Sequence, residues 1–433
     1  MHIVVVGTGY VGLVTAAGFA DFGNEVVCVG DDAERIAQLS AGKLPLYEPG
    51  LGPLLEENRV AGRVRFTTDL QAALHGCEVV FLALHVPVTR ERGADLSALF
   101  AAADQLAETM TDGCVVVTKS TVPVGTADRI RVRIEARSEA SFTVVSNPAF
   151  LKVGAAVSDF MRPDRVLIGS DDERAIDMLR GLYAPFVRTR DRVFVVDARS
   201  AELAKYAASA LLASRISFMN ELALLADDLG ADIEAVRQVM GADRRIGPKA
   251  LFVGPGFGGT NFHNDLTMLM HTAAEAGQPF ALLHATDNAN ERQKGVLLRK
   301  LSTALGGTLM GKRIAIWGVA FKPRTDDIGQ APALRLMDGL LEKGAQPVVH
   351  DPRALDNVRR RYGERLHYAA DMYSAAEEAD ALVLVTEWHQ YRSPDFARLR
   401  RGMAGQLLVD GRNVWNRECV RELGFRYVGI GRS

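Results

Sequence analysis

Short β-branched runs near residues 2–6, 25–29, 78–84, 114–118 and 143–146 are separated by amphipathic stretches. That alternation predicts an α/β architecture built on a parallel, doubly wound sheet. From about Ser200 to Gly230 the pattern changes to an alanine- and leucine-rich stretch without internal Gly or Pro, which predicts one unusually long helix. A glycine-dense loop follows at Gly254–Gly259, then further helical sequence to about residue 305. The strand and helix alternation restarts with runs near 313–318, 347–350, 381–385 and 407–410 and a helix near 331–343. The expected organisation is an α/β domain over 1–197, a helical segment over 198–305 and a second α/β domain over 306–433.

A chain of 433 residues with 48% apolar and 24% charged residues has room for two or three cores. A small binding module and a disordered chain are excluded. The net charge of -2 gives no general field for a polyanion, so nucleic-acid binding is not expected. The basic run Arg398–Arg401 reads as a solvated helix face. No 18 apolar residues follow one another, and Met1 runs straight into a short strand-like segment, so a cytoplasmic protein without membrane contact is expected. Cys28, Cys77, Cys114 and Cys419 form neither a CxxC pair nor a Cys/His cluster, and they read as free thiols.

Gly7-Thr-Gly9-Tyr10-Val11-Gly12 follows a predicted strand and opens an apolar helix. In that context the glycines permit a tight turn and let a pyrophosphate reach the N-H groups of the helix start. Gly7, Gly9, Tyr10, Val11 and Gly12 are therefore candidate dinucleotide-binding residues. The second strand ends in Gly30 where a ribose-binding carboxylate is expected, and Asp31, one residue on, is the candidate substitute.

The chain also contains Tyr47-Glu-Pro-Gly-Leu51, Lys119-Ser-Thr-Val-Pro-Val-Gly-Thr126, Ser146-Asn-Pro148, Pro163-Asp-Arg165, Arg245-Ile-Gly-Pro248, Gly256-Phe-Gly-Gly259, Gly318-Val-Ala-Phe-Lys-Pro323, Thr325-Asp-Asp327 and Asp410-Gly-Arg-Asn413. With the glycine motif, in this order, they resemble the UDP-glucose/GDP-mannose dehydrogenase family over essentially the whole length. The resemblance implies an N-terminal Rossmann domain for NAD, a long central helix in a helical dimerisation domain, and a C-terminal Rossmann-like domain holding the nucleotide end of a UDP-sugar. It implies oxidation of a sugar CH2OH to a carboxylate in two steps, the second through a cysteine thioester. Lys205, Asp265 and Thr121 match the residues that hold a water and stabilise the alkoxide in the first step. Phe150, Leu151, Lys205, Arg245, Phe257, Gly258, Lys322 and Arg412 match substrate-side positions.

Several matching positions carry different chemistry. Asn261 stands at the cysteine position, Asn264 at a lysine, Ala149 at the carboxylate associated with thioester hydrolysis, and Ser209 at an asparagine. An amide cannot form a thioester. Gly30, the bulkier Leu84-His85-Val86 and Gly329 in place of an arginine all fall on the cofactor side, implying that NAD binds weakly or not at all. His263 beside Asp265 lacks a third ligand, and no metal is expected.

Two functional readings stay open. One is a nucleotide-sugar oxidoreductase that stops after two electrons. The other is a catalytically inactive paralogue that binds a nucleotide sugar as a regulatory or partner subunit. In either case the implied assembly is a homodimer or higher homo-oligomer, with hetero-association to an active paralogue under the second reading.

Overall fold

The computed structural model describes residues 1–432. It divides into two compact units, Met1–Ala208 with Thr267–Gln278, and Ser209–Leu266 with Pro279 onward.

The first unit is built on an eight-stranded sheet in the spatial order Val193–Val196, Val166–Gly169, Phe142–Ser146, Cys114–Thr118, Val79–Leu82, His2–Val6, Glu25–Val29, Val64–Thr67. Its central strands are buried along their whole length, as expected for parallel strands covered on both faces. Chain direction across the sheet reverses between His2–Val6 and Val79–Leu82, and ligands of doubly wound sheets sit at the carboxyl ends of strands beside such a switch point. Strands at 64–67, 166–169 and 193–196 join those anticipated from the pattern.

The sheet is not parallel throughout. Val166–Gly169 meets Phe142–Ser146 antiparallel at a single bridge, Ser146 to Gly169. The contact is extended by the Asn147 side chain, whose Nδ2 donates to Leu167 O at 2.6 Å. One asparagine therefore couples the outer strand pair to the rest of the sheet. Below it, Phe19 gathers Phe81, Phe160, Tyr183 and Phe186 into an aromatic cluster with centroids 5.1–6.0 Å from its own.

In the second unit six parallel strands run His367–Tyr368, Gln346–His350, Arg313–Trp317, Ala381–Leu384, Leu407–Asp410, Arg426–Val428. This sheet also reverses, between Arg313–Trp317 and Ala381–Leu384. Trp317 is fully buried, stacks on Tyr391 at 5.0 Å and donates Nε1 to Met372 O.

The predicted long helix is Ala198–Leu229, 32 residues, or about 48 Å at 1.5 Å per residue. The unit boundary falls within it, between Ala208 and Ser209. Leu211, Leu212, Phe218, Leu225 and Leu229 are exposed along its second part. The basic run lies on Phe396–Gly402, where Arg398 and Arg401 are exposed and Leu399 is buried.

Candidate functional site

Each glycine of the Gly7–Gly12 motif has a separate steric cause. Gly7 sits at φ +124°, where a Cβ would fall 2.4 Å from Ala83 O, and a Cβ on Gly12 would fall 1.9 Å from Gly7 O. Both are close backbone packings that only glycine allows. Gly9 is different: nothing lies within 4 Å of the place its Cβ would occupy. It N-caps helix Tyr10–Asp21 without a side-chain hydrogen bond. Open space in front of an uncapped helix start, beside a switch point, fits a pyrophosphate group.

The second strand runs into Gly30, where a ribose-binding carboxylate is expected. A Cβ on Gly30 would lie 2.9 Å from Thr8 Cγ2 and 3.0 Å from its Oγ1. Asp31 is exposed, and Asp32 is committed to capping the next helix through Arg35 N at 3.0 Å. Arg35 Nε in turn donates to Thr8 O at 3.1 Å.

At the carboxyl ends of the neighbouring strands, two site loops are fastened by groups that sequence reasoning did not single out. Lys119 is buried and donates Nζ to Asn147 Oδ1 at 2.8 Å and to Tyr183 OH at 2.9 Å. Desolvation lowers its pKa to about 7. The same Asn147 Oδ1 accepts from Tyr183 OH at 2.6 Å. This network lies beneath Ala149, Phe150 and Leu151, and the three residues line one pocket with Lys119 and Arg165. Arg165 sits over the Phe150 ring at 3.8 Å and Lys205 Nζ at 5.8 Å, a favourable approach of cations to an aromatic face.

Thr121, half-buried, lies on the loop that leads into helix Thr126–Glu135. The start of that helix is held by Glu202, which accepts from Gly125 N at 2.6 Å and Ala127 N at 2.9 Å. Burial pushes the Glu202 carboxyl up to about 7, against the two backbone N-H bonds that pull it down. Glu202 precedes Lys205 by one helical turn, so the two share a face of the long helix. The spacing was visible in the sequence, but its partners 75 and 77 residues away were not.

In the second unit, Gly254, Phe257, Gly258, Lys322 and Arg412 line a pocket with Asn220 at its wall. Asn290 fixes the glycine loop by accepting from Phe257 N at 2.8 Å and donating to Phe257 O at 3.1 Å. A Cβ on Gly258 would lie 2.7 Å from Gln330 O. Two cations beside a glycine-rich backbone suit a phosphorylated ligand. The predicted substrate residue Arg245 is elsewhere: it is exposed, paired with Asp243 at 2.7 Å, and does not line this pocket.

Helix Thr260–Glu275 begins at the end of the glycine loop, with Asn261 exposed and His263 and Asn264 half-buried. Asp265 is buried and accepts from Ser209 Oγ at 2.6 Å. The space where a Gly329 side chain would begin is filled: a Cβ there would come within 2.1 Å of Thr260 Oγ1. Among the described residues no cluster of His, Cys, Asp and Glu could hold a metal ion, and no helix is long and apolar enough to cross a membrane. Cys28, Cys77 and Cys114 are buried, and burial raises their pKa to about 12, 12 and 11; Cys419 is exposed.

Comparison with known proteins identifies both halves. Residues 1–187 match the NAD-binding domain of the UDP-glucose/GDP-mannose dehydrogenase family, 199–292 its central domain and 315–417 its UDP-binding domain. The chain is 48% identical to a UDP-glucose 6-dehydrogenase of Pseudomonas aeruginosa, with 100% of this chain and 98% of that protein covered. It is 44% identical to a UDP-glucose 6-dehydrogenase of Rhizobium meliloti, both covered completely. Among solved structures, a UDP-glucose dehydrogenase from Pyrobaculum islandicum superposes with a TM-score of 0.90 at 34% identity, covering 100% of this chain and 98% of that one. Together with the glycine cradle and the two-cation pocket, these matches show that the chain belongs to the UDP-glucose/GDP-mannose dehydrogenase family.

Proposed function

We propose that the protein binds a UDP-sugar and NAD and oxidises the sugar by two electrons only, stopping short of the uronate. What supports this reading is the family resemblance, which puts Asn261 at the nucleophile position and Ala149 at the hydrolytic one. Neither an amide nor a methyl group can do the chemistry of a thiolate or a carboxylate.

Gly7, Gly9, Tyr10, Val11 and Gly12 would hold the pyrophosphate of NAD, with Asp31 as the ribose-side group. When bound, NAD supplies a two-electron acceptor. Lys205 stabilises the alkoxide formed as the sugar hydroxyl loses its proton, and Thr121 and Asp265 position the water that takes part. A preorganised cation facing a developing oxyanion contributes about 3 kcal/mol or more in a dry site. Phe150, Leu151, Phe257, Gly258, Lys322 and Arg412 are assigned to the substrate from the family resemblance, while Arg245, exposed and paired with Asp243, is left out of that set. The two-electron product is the aldehyde, and Asn261 cannot carry it further.

A second reading is favoured by the filled spaces at Gly30 and Gly329. Thr8 and Thr260 occupy the volumes where an aspartate and an arginine would begin, so the cofactor grip is remodelled and not merely truncated. On this reading NAD binds weakly or not at all, and the chain serves as a nucleotide-sugar-binding partner of an active paralogue. The exposed apolar side chains of the long helix support a homodimer or higher oligomer in either case. We further assign the domains as 1–197, 198–305 and 306–433, and the cytoplasm as the working compartment.

The test is a thermal-shift panel with NAD, UDP-glucose, UDP-glucuronate and GDP-mannose. A ligand that binds the native state raises the melting temperature. The expected result is a shift with a UDP-sugar and a smaller one with NAD. A shift with NAD alone would overturn the assignment of the surviving half, and no shift with any nucleotide sugar would overturn the substrate class.

A further inference from the structure

The Arg412 guanidinium is gripped along one edge. Its one Nε hydrogen is donated to Val385 O at 2.8 Å, and Glu387 Oε2, buried and without a hydrogen bond, pairs with the same edge as a charge at 3.0 Å. On the other side lies Gly254, where a Cβ would fall 2.8 Å from Nη1. Glycine at 254 therefore leaves the room that lets the guanidinium line the glycine-loop pocket with Lys322. The backbone is fixed as well, since fully buried Asp410 accepts from Arg412 N at 3.0 Å and from Trp415 N at 2.9 Å. A guanidinium is a rigid planar fork, so fixing its Nε edge fixes the aim of its outer N-H groups.

We infer that Glu387 is a positioning residue for nucleotide-sugar binding: it holds the Nε edge of Arg412 so that the outer edge meets the diphosphate of the ligand. This rests on the nucleotide-sugar reading above. Glu387 acts through Arg412: its removal leaves the Val385 hydrogen bond alone to hold the guanidinium, and bidentate recognition of phosphate depends on the direction of that fork.

The experiment is calorimetric titration of the full-length chain with UDP-glucose, and with GDP-mannose, for wild type, Glu387→Gln, Arg412→Ala and the double variant. Glu387→Gln is expected to weaken binding about fivefold, the scale of one partly buried ion pair. In the Arg412→Ala background the same change is expected to weaken it no further. A purely structural role would instead give a loss that persists without Arg412, and that result, or wild-type affinity in Glu387→Gln, would overturn the inference. Should Glu387→Gln fail to fold, Glu387→Asp carries the same comparison: weakened binding that disappears as a difference in the Arg412→Ala background supports the role, and unchanged binding overturns it. If wild type binds neither nucleotide sugar, the ligand reading falls and this inference with it. Wild-type binding with an indifferent Glu387 removes only the inference.

Discussion

Ser209 Oγ donates to Asp265 Oδ2 at 2.6 Å, and both side chains are buried. The small hydroxyl thus satisfies one lone pair of a carboxylate that the family resemblance places in the first oxidation. Removing one partner of a buried, charge-assisted hydrogen bond leaves the other desolvated. Ser209→Ala is accordingly expected to lower stability by about 1–3 kcal/mol, read as a reduced midpoint with unchanged slope in urea. An unchanged midpoint would mean that Asp265 is satisfied without Ser209.

The remodelled glycines set limits on re-engineering. With a Cβ at 2.1 Å from Thr260 Oγ1, Gly329→Arg alone is expected to destabilise the fold through overpacking by about 1–3 kcal/mol. Thr260→Ala should recover part of the loss, because it removes the nearer oxygen and leaves Asp327 Oδ1 at 2.9 Å. Melting curves of the single and double variants check this, and equal stability of the two would refute the steric account.

Gly30→Asp faces the analogous obstacle in Thr8, whose methyl and hydroxyl lie 2.9 and 3.0 Å from the new Cβ. The expected outcome is that Gly30→Asp strengthens NAD binding only when combined with Thr8→Ala, measured by calorimetry. A gain in the single variant would show that Thr8 yields without cost.

Lys119 and Glu202 predict opposite pH slopes. Lys119 has a folded pKa lowered to about 7 from 10.5, so the unfolded chain binds more protons between these values and stability rises with pH across that window. Glu202 has a folded pKa raised to about 7 from 4.5. Its contribution is present below the lower value and lost as pH rises through the higher one. Relative to wild type, Lys119→Met should flatten the rise above pH 7, and Glu202→Gln should flatten the fall below it. Each full proton of difference corresponds to about 1.4 kcal/mol per pH unit. Denaturation curves between pH 5 and 9 test both, and parallel wild-type and variant profiles would contradict the assignment.

These two residues also mark where sequence reading stopped. The central strands, the long helix and the glycine cradle were legible, because hydrophobic period and glycine spacing are local signals. Lys119 joins residues 28 and 64 positions away, at Asn147 and Tyr183. Nothing in the local pattern of Lys119-Ser-Thr marks its amine as buried. The antiparallel bridge at Gly169 was hidden for a related reason: a four-residue apolar strand carries no sign of its direction, and Asn147 sets its place through a side chain. The reason Gly30 and Gly329 are glycines emerged only when Thr8 and Thr260 were seen beside them.

The most direct test of the central claim counts electrons. Purified wild-type protein is incubated with UDP-glucose and NAD, and NADH is followed by absorbance while the sugar product is identified by mass. The expectation is no UDP-glucuronate and no more than one NADH per sugar consumed, because on the proposed reading Asn261 and Ala149 leave no thioester route. Formation of UDP-glucuronate with two NADH per molecule, at turnover above roughly 0.1 per second and so approaching the ordinary enzyme range, would contradict it.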